Sequence, residues 1–429
     1  MGLKTKPIAV DLFSGAGGMT LGFEQAGFDV LASVEVDPIH CAVHKFNFPH
    51  WSMICQSVVD VSGLNIRTGS AIQQQEIDVV FGGSPCQGFS LIGRRALDDP
   101  RNSLVTHFMR LVTELEPKYF VLENVKGLTV GRHSQFLEEV ILAFQVRGYR
   151  VREDYRVLNA VNYGVPQTRE RLFLLGCRGD MPLPEYPVPV TRLPQANRSL
   201  LLTHLPSAPT VWEAIADLPE VEQYPELLQK ESCLAEYGAP LGAYGEVMRG
   251  WHPGTGDYSY TRSWNPQMLT SSLRTLHREP SIQRFRETAV GAVEPISRFF
   301  RLDPNGVCNT LRAGTASNRG SFTSPRPIHP FLARCITVRE AARLHSYPDW
   351  FRFHGTKWHG FRQIGNSVPP LLAKAVAKEL IKALKAEPQK DGEPIVPGED
   401  DWLGWNMGQA AKFFAVHPHA IEPRIRRKQ

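Results

Sequence analysis

At 429 residues the chain is too long for one simple hydrophobic core, so at least two domains are expected. Its composition, 42% hydrophobic and 21% charged, is that of a globular protein, and no apolar run is long enough to span a bilayer. The net charge of +5 mildly favours a polyanionic partner, and seven cysteines without a CxxC pair argue against a disulfide framework or a cysteine zinc site.

The N-terminus has no apolar stretch typical of a signal peptide, and Lys6 stands where a myristoylation signal needs Ser or Thr. His40 and His44 flank Cys41 at helical spacing, but no second ligand cluster accompanies them. We interpret them as residues of a helix surface. The sequence therefore predicts a cytoplasmic protein without a lipid anchor and without a metal site.

Residues 8–13 are predicted to form a buried strand that ends in the glycine-rich turn SGAGG. A helix with Gly27 as its C-cap follows, and the next strand ends at Glu35, twenty residues after Gly15. An acid at this spacing can accept hydrogen bonds from a ribose. Thr20 replaces the third glycine of a dinucleotide fingerprint, which favours an adenosine cofactor without phosphates. The alternative is a tight turn that binds no ligand.

The sequence GGSPCQGFS follows a predicted strand over residues 77–81. Pro85 and Gln87 flank Cys86, so this cysteine leaves a stiffened turn at the carboxyl end of a strand, where reacting groups gather in open α/β sheets. Cys86 is therefore a candidate nucleophile, and the alternative is a buried loop cysteine. The arginine-rich stretch after it is predicted to be a lid or, alternatively, an ordinary surface loop.

A further strand over residues 119–122 leads into Glu123. If the strands are parallel, Glu123 lies on the same sheet edge as Cys86, where desolvation would raise its pKa enough to hold a proton near neutrality. A helix cap or a salt-bridged acid is the alternative. Arg169 and Arg171, two residues apart before another strand, are predicted to face one side and to clamp a phosphate or a base carbonyl; the alternative is that both are merely exposed.

These blocks resemble, in order, those of the DNA cytosine carbon-5 methyltransferases. The residues that carry the resemblance are DLFSGAGG, GGSPCQGFS, ENVKG, QTRERLFLLG, TVREAARLHSYPDWF and GFRQIGNSVPP, within residues 8–180 and 334–380. The resemblance implies an α/β, Rossmann-like class I methyltransferase fold with a mostly parallel sheet and a smaller inserted target-recognition domain. It also implies S-adenosylmethionine as the methyl donor and a cytosine flipped out of double-stranded DNA as the substrate.

By resemblance, the Cys86 thiolate adds to carbon 6 of the cytosine and makes carbon 5 nucleophilic. Glu123 would hold ring nitrogen 3 and the exocyclic amine, Arg171 would bind the ring carbonyl, and Arg169 would support a phosphate or the lid. The sequence names no base for the carbon-5 proton, and ordered water is our expectation.

The resemblance also implies a cofactor site in which Phe13 stacks on the donor, Glu35 binds the ribose and Asp60 lies near the adenine amine. The cofactor residues are Phe13, Ser14, Gly15, Gly17, Gly18, Glu35, Asp60, Pro85, Asn366, Ser367 and Val368. Contacts to DNA are expected from Gln87, Ser90 and Thr310.

Composition shifts mark four parts of the chain. They are a catalytic domain (1–180), a target-recognition domain (181–333), a return segment that completes the catalytic domain (334–386), and a linker with a C-terminal extension (387–429). Arginines interleaved with aromatic residues over 237–314 suit a phosphate-rich surface.

In the return segment, Thr337 and Glu340 form a predicted capping box, and residues 371–384 form an amphipathic helix that packs on the N-terminal half. From Glu387 the chain is predicted to be a flexible linker. The tail beyond it could dock on the core, touch DNA or bind a partner, and docking is favoured.

Three other functions stay open at this point. An RNA cytosine methyltransferase would share the chemistry, a catalytically silent DNA-binding protein would not need Cys86 or Glu123, and a redox enzyme would need the missing glycine. A monomer is expected, with a cognate restriction endonuclease as a possible partner and the bacterial nucleoid as its place of action.

Overall fold

A computed structural model of the chain describes residues 6–85, 103–130, 132–194, 204–314, 326–390 and 393–418. In this part of the chain the central sheet is built from β1 Ile8–Leu12, β2 Asp29–Glu35, β3 Ser52–Cys55, β4 Val79–Gly83, β5 Tyr119–Val125, β6 Tyr149–Val151, β7 Arg156–Asn159 and β8 Glu170–Arg178. The helices that accompany it are α1 Gly18–Ala26, α2 Pro38–Asn47, α3 Gly63–Thr68, α4 Ser103–Leu115 and α5 Arg132–Val146.

The sheet has the strand order β3-β2-β1-β4-β5-β8-β6, and β7 pairs with β8. Strands β1 to β5 run parallel, whereas β8 is antiparallel to β5. The chain moves outward from β1 to β3 and then crosses back to place β4 on the other side of β1. Such a reversal opens a crevice at the carboxyl ends of the strands. The predicted mostly parallel α/β fold is confirmed.

The second half of the chain is richer in short elements. They are α6 Val211–Ile215, β9 Cys233–Leu234, α7 Ala243–Met248, β10 Met268–Leu269, α8 Glu279–Glu287, α9 Val338–Leu344, α10 Lys357–Asn366, α11 Pro370–Leu384 and α12 Met407–Phe413. The capping box before α9 is confirmed: Thr337 Oγ1 accepts from the Glu340 N–H, and the Glu340 carboxylate accepts from the Thr337 N–H. The helix ends at Leu344.

Helix α1 lies between the sheet and α11, and all nine of its residues are buried. A Cβ at Gly22 would lie 2.4 Å from the Cβ of Ala373, so glycine is needed for the two helices to pack this closely. Gly27 ends α1 with a φ of 109°, as its predicted C-cap role requires. The last long helix thus covers the first one, as the apolar face of residues 371–384 predicted.

Two arginines interpreted as part of a phosphate-binding surface have a structural role instead. Arg262 is 5% exposed and forms two hydrogen bonds with the Glu24 carboxylate, of 2.7 and 2.8 Å. Arg249 is 7% exposed and lies 3.2 Å from Asp349. A buried arginine must be paired with an acid because its charge is costly to desolvate. These pairs tie residues 249–262 to the rest of the molecule and leave neither guanidinium free for DNA.

Within the part of the chain that the structure describes beyond residue 392, residues predicted to belong to a flexible linker pack against the rest of the molecule. Ile395 is buried, its N–H donates to the Thr261 carbonyl at 2.7 Å, and its carbonyl accepts from Ser263 at 2.8 Å. Helix α12 packs against α2, so the described part of the tail, up to residue 418, docks on the core. None of the described helices is long and apolar enough to cross a membrane.

Candidate active site

A cavity of about 540 Å³ opens at the carboxyl ends of β1, β2, β4 and β5, the crevice that the strand order predicts. Its volume lies in the range of small-molecule sites. It is lined by Asp11, Phe13, Ser14, Gly15, Ala16, Gly18, Met19, Val34, Glu35, Val36, Asp37, His40, Gln56, Ser57, Val58, Gly83, Ser84, Pro85, Leu104, Glu123, Asn124, Val125, Arg171, Ala313, Gly314, Trp358, Arg362, Gln363, Gly365, Asn366, Ser367 and Val368.

The glycine-rich loop after β1 forms one wall. Phe13 and Gly15 both have positive φ, 63° and 54°, and this conformation turns the chain sharply into α1. Gly18 lines the cavity, whereas Gly17 does not. A Cβ at Gly17 would lie 2.4 Å from the ring of Phe48, so this glycine serves close packing behind the loop rather than ligand contact.

Glu35 fixes the loop to the start of α2. Its Oε2 accepts from the Gly15 N–H, and its Oε1 accepts from the N–H groups of Val36 and Asp37, all at 2.9 Å. An ionised carboxylate offers about four acceptor positions, so about one is left for a hydroxyl in the cavity. The carboxylate is thus held in place before any ligand binds.

The expected role of Asp60 does not fit the structure. Strand β3 ends at Cys55, and the residues that reach the cavity from this strand are Gln56, Ser57 and Val58. Asp60 is exposed and is not among the described residues that line the cavity. Asp60 was expected near the adenine amine, but it lies five residues beyond the end of β3.

Asp11, which the sequence analysis did not single out, lies beneath the loop at 1% exposure. The Thr20 hydroxyl donates to its Oδ2 at 2.5 Å. Burial raises the pKa of Asp11 well above its usual range, and the charge of Glu35 adds to the shift. Thr20, noted only as a departure from the dinucleotide pattern, therefore holds a buried carboxyl in the cavity floor.

On the opposite side of the cavity, Glu123 and Arg171 form an ion pair. Arg171 Nε lies 2.9 Å from Glu123 Oε1, and both side chains are largely buried. The antiparallel pairing of β5 with β8 brings the two residues together. Gly83 on β4 pairs with Glu123, and a Cβ there would lie 2.5 Å from Glu123 Oε2. Glycine at this position leaves room for the carboxyl group.

Burial raises the pKa of the Glu123 carboxyl, and the guanidinium groups of Arg171 and Arg169 act against that shift. The direction agrees with the prediction from its place at the sheet edge. A buried carboxyl with a raised pKa can hold a proton at a pH where an exposed glutamate has lost it. Strands β4 and β5 pair in parallel, which is the condition on which the expected position of Glu123 depended.

The structure corrects the role expected for Arg169. This residue precedes β8, is 1% exposed, and donates to the carbonyls of Leu311 at 2.7 Å and of Gly365 and Ser367 at 2.8 Å. It does not share a face with Arg171, because the strand begins only at Glu170. Arg169 joins three segments beside the cavity and is not available to a phosphate or a lid.

Thr310 lies beside the same junction. Its hydroxyl donates to the Thr168 carbonyl at 2.7 Å, and the backbone of Leu311 donates to the Gln167 side chain at 3.1 Å. The chain continues to Ala313 and Gly314, which line the cavity. Thr310 is therefore close to the site, and in the structure its hydroxyl proton is used within the protein.

Asn366, Ser367 and Val368 line the cavity at the end of α10, as does Pro85 after β4. Cys86, Gln87 and Ser90 lie outside the described residues. Asn124, which the sequence analysis passed over, donates to the carbonyl and hydroxyl oxygens of Ser84 at 3.3 and 3.2 Å and so fixes the chain two residues before Cys86.

The family model described as C-5 cytosine-specific DNA methylase matches residues 8–382. The chain belongs to this family.

Individual relatives agree with the family match. The chain is 57% identical over 422 residues to Type II methyltransferase M.XorII of Xanthomonas oryzae pv. oryzae, which covers 98% of this chain and 96% of the relative. It is 32% identical over 401 residues to Type II methyltransferase M.DdeI of Desulfomicrobium norvegicum, with 86% and 88% covered. The crystal structure of a candidate DNA modification methyltransferase encoded within an E. coli prophage superposes with a TM-score of 0.69 at 32% identity, over 88% of this chain and 99% of that one.

Membership confirms the predicted activity class, so the protein is a DNA (cytosine-5-)-methyltransferase.

His40 and His44 were predicted to lie on a helix surface and not in a metal site. The surface position is wrong, since both residues are buried in α2. Burial lowers the pKa of His44 to about 3, so this ring is neutral. Within the described ranges no group of three His, Cys, Asp or Glu residues could hold a metal ion.

Other residues on the cavity of this methyltransferase carry no local sequence signal. Gln56 and Ser57 follow a short edge strand, and Trp358 and Arg362 lie one turn apart on α10. Only the approach of α10 to α2 in the folded chain brings these side chains to the glycine loop. A sequence pattern of period 3.6 marks the helix, but not which of its turns meets a cavity.

Proposed function

We propose that this enzyme transfers a methyl group from S-adenosylmethionine to carbon 5 of a cytosine flipped out of duplex DNA, through a transient bond to Cys86. The supporting observation is that the Glu123–Arg171 pair and the glycine loop, which Glu35 holds in place, line the same cavity. A base-binding pair and a nucleoside-binding loop within one cavity suit the joining of these two reactants.

The residues present fit the donor. Glu35 keeps about one acceptor position for a ribose hydroxyl, and the Ser14 hydroxyl is buried without a partner among the described residues. Phe13, Gly15, Gly18, Asn366, Ser367 and Val368 would complete this end of the cavity, with Pro85 at its boundary to the base. When bound, S-adenosylmethionine supplies the electrophilic methyl group that carbon 5 accepts.

In the proposed reaction, the Cys86 thiolate forms a bond to carbon 6, and the ring electrons shift toward nitrogen 3 and the carbonyl oxygen. Glu123, which burial helps to keep protonated, donates to nitrogen 3 and accepts from the exocyclic amine. Arg171 donates to the carbonyl oxygen and stabilises the charge there. After methylation, a water removes the carbon-5 proton, nitrogen 3 returns its proton to Glu123, and the ring double bond re-forms as the bond between carbon 6 and sulfur breaks, which releases the Cys86 thiolate.

Residues 181–333 would recognise the target, with residues 1–180 and 334–386 as the catalytic domain and 387–429 as an extension. The described segment next to the cavity, which includes Thr310, supports a contact to DNA near the flipped base. Gln87 and Ser90, which follow the proposed nucleophile in sequence, would contact the same nucleotide. Exposed Arg278 and Arg286 remain candidates for phosphate contacts, unlike the buried arginines of this region.

The curated relatives named above are Type II methyltransferases, which supports a role in protecting DNA from a cognate restriction endonuclease. We infer that the enzyme acts as a monomer on the chromosome in a prokaryotic cytoplasm. A transfer RNA substrate is the competing assignment, because the same cavity chemistry would serve it.

The test is methyl transfer from S-adenosylmethionine to duplex DNA and, separately, to transfer RNA, followed by sequencing of the methylated bases. We expect 5-methylcytosine at one short DNA sequence and none in RNA. A duplex with 5-fluorocytosine at that position should trap a covalent adduct at Cys86, since the fluorine cannot leave as a proton does. Transfer to RNA alone, or an adduct at another residue, would refute the proposal.

A further inference from the structure

The segment formed by residues 393–418, here named the C-terminal brace, begins beyond residue 382, where the family match ends. It contains the 3-10 turn Asp400–Gly404 and helix α12. We propose that the C-terminal brace holds the two walls of the methyl-donor end of the cavity at their binding distance, with Leu403 as its central positioning residue. The inference rests on the proposed cofactor role of this cavity.

The first wall is reached through an apolar contact. Leu403 is 3% exposed and packs in one cluster with Ala16, Val43 and Phe46, with Trp402 beside them. Ala16 belongs to the glycine loop and itself lines the cavity. Leu403 therefore supports the donor loop from behind, and it also packs against α2, the helix that begins beside Glu35.

The second wall is reached through hydrogen bonds. The Leu403 carbonyl accepts from the Gly355 N–H at 2.8 Å, and the Trp405 carbonyl lies 2.9 Å from His354 Nε2. His354 Nδ1 accepts from the Thr356 N–H at 3.1 Å, so the proton of the neutral ring is on Nε2 and donates to Trp405. Burial lowers the pKa of His354, which keeps the ring neutral.

Thr356 is the residue before α10, and α10 carries Trp358 and Arg362 into the cavity. The brace thus contacts the glycine loop on one side and the start of α10 on the other, although these walls lie more than 330 residues apart in sequence. Because a donor would bind between the two walls, their separation sets the fraction of molecules that can bind it. If the brace contact loosens, the binding-competent fraction falls and the apparent Kd rises in inverse proportion to it.

The test measures binding of S-adenosylhomocysteine, the product of the donor, to full-length variants by isothermal titration calorimetry. Leu403→Ala should raise the Kd about tenfold, as expected if about a tenth of the molecules stay competent. Leu403→Met, which keeps the apolar volume, should restore the parent value. In assays the KM for S-adenosylmethionine should rise while kcat at saturation stays unchanged.

The matched control is Leu227→Ala. Leu227 is as buried as Leu403 but packs with Val221 and Leu269, away from the cavity. It should lower thermal stability without changing the Kd. Equal weakening by both alanine variants, or parent-like binding by Leu403→Ala, would overturn the inference.

If Leu403→Ala fails to fold, His354→Asn tests the same inference, because it removes the imidazole that donates to the Trp405 carbonyl. This variant should raise the Kd about threefold. An unchanged Kd would overturn the inference. A parent enzyme that binds no S-adenosylhomocysteine would refute the proposed cofactor, and with it this inference.

Discussion

The two ends of the cavity hold their charged groups by different means. At the donor end, Glu35 is fixed by three backbone N–H groups, so its carboxylate is held in place before a ligand binds. At the base end, Glu123 is paired with the Arg171 guanidinium, and burial raises the pKa of its carboxyl. The first end suits binding, and the second suits a proton that must move during the reaction.

The largest effect should follow from Cys86→Ala. Methyl transfer should fall by about 10³-fold or more, because no other group would form the bond to carbon 6. Binding of S-adenosylhomocysteine should stay within about twofold of the parent. Initial rates with tritiated donor measure the first quantity and calorimetry the second. Cys233→Ala, at a half-buried cysteine outside the cavity, is the control, and an active Cys86→Ala enzyme would refute the covalent mechanism.

Glu123→Gln should reduce kcat by about 10²- to 10⁴-fold, the usual contribution of a positioned acid. The amide can still donate to nitrogen 3, but it cannot deliver a proton there, and donor affinity should not change. Single-turnover rates at saturating donor and DNA would show this split. A comparable loss of donor affinity would mean that the two ends of the cavity are not separate in function.

Glu35→Gln should give the opposite pattern. Glu35 would accept a hydrogen bond from a ribose hydroxyl of the ligand, and a hydrogen bond to a charged group contributes about 1.5–3 kcal/mol. The Kd for S-adenosylhomocysteine should therefore rise by at least about tenfold. The kcat at saturating donor should stay near that of the parent. Calorimetry and steady-state kinetics measure the two effects, and a fall in kcat alone would contradict the assignment.

The smallest expected effect is a loss of folding stability at acidic pH. His44, buried in α2 beneath the glycine loop, has a pKa lowered to about 3, and burial likewise lowers that of His329 to about 4. Below pH 6.5 these histidines are protonated in the unfolded chain but stay neutral in the folded protein. The free energy of unfolding should therefore fall as the pH drops, by up to about 1.4 kcal/mol per pH unit for each ring. Glu123 has the opposite effect on stability. Its pKa is raised in the folded protein, so the folded chain binds this proton more readily than the unfolded chain does as the pH falls.

Thermal unfolding between pH 7 and 4 measures this loss. His44→Gln, which cannot titrate, should give a shallower fall in stability than the parent. An equal slope in both proteins would show that His44 takes up its proton without unfolding.

Several residues predicted for the site line one cavity because they lie at or next to strand ends. Glu35, Glu123 and Pro85 each come directly after, or at the end of, a predictable apolar strand, and parallel strands bring such ends together. Their catalytic roles are proposals, but their shared location is a consequence of topology.

The failures have equally specific causes. Asp60 was misplaced because the edge strand β3 ends at Cys55, and short edge strands have weak boundaries in sequence. Arg169 was expected to support a phosphate or the lid, and Arg249 and Arg262 belong to the stretch that was predicted to form a phosphate-rich surface. Each of them instead has a buried partner supplied by a distant segment. Only the folded chain reveals which charges are neutralised inside it.

The packing of α11 on α1 has a consequence for biosynthesis. About 350 residues separate the two helices. At ribosomal rates of about 5–20 residues per second, α11 is therefore synthesised roughly 20–70 s after α1. During that interval the nascent chain exposes a helix that is wholly buried in the finished enzyme. We therefore expect nascent chains arrested before residue 370 to engage chaperones that recognise apolar helices, and chains released beyond residue 384 to escape them.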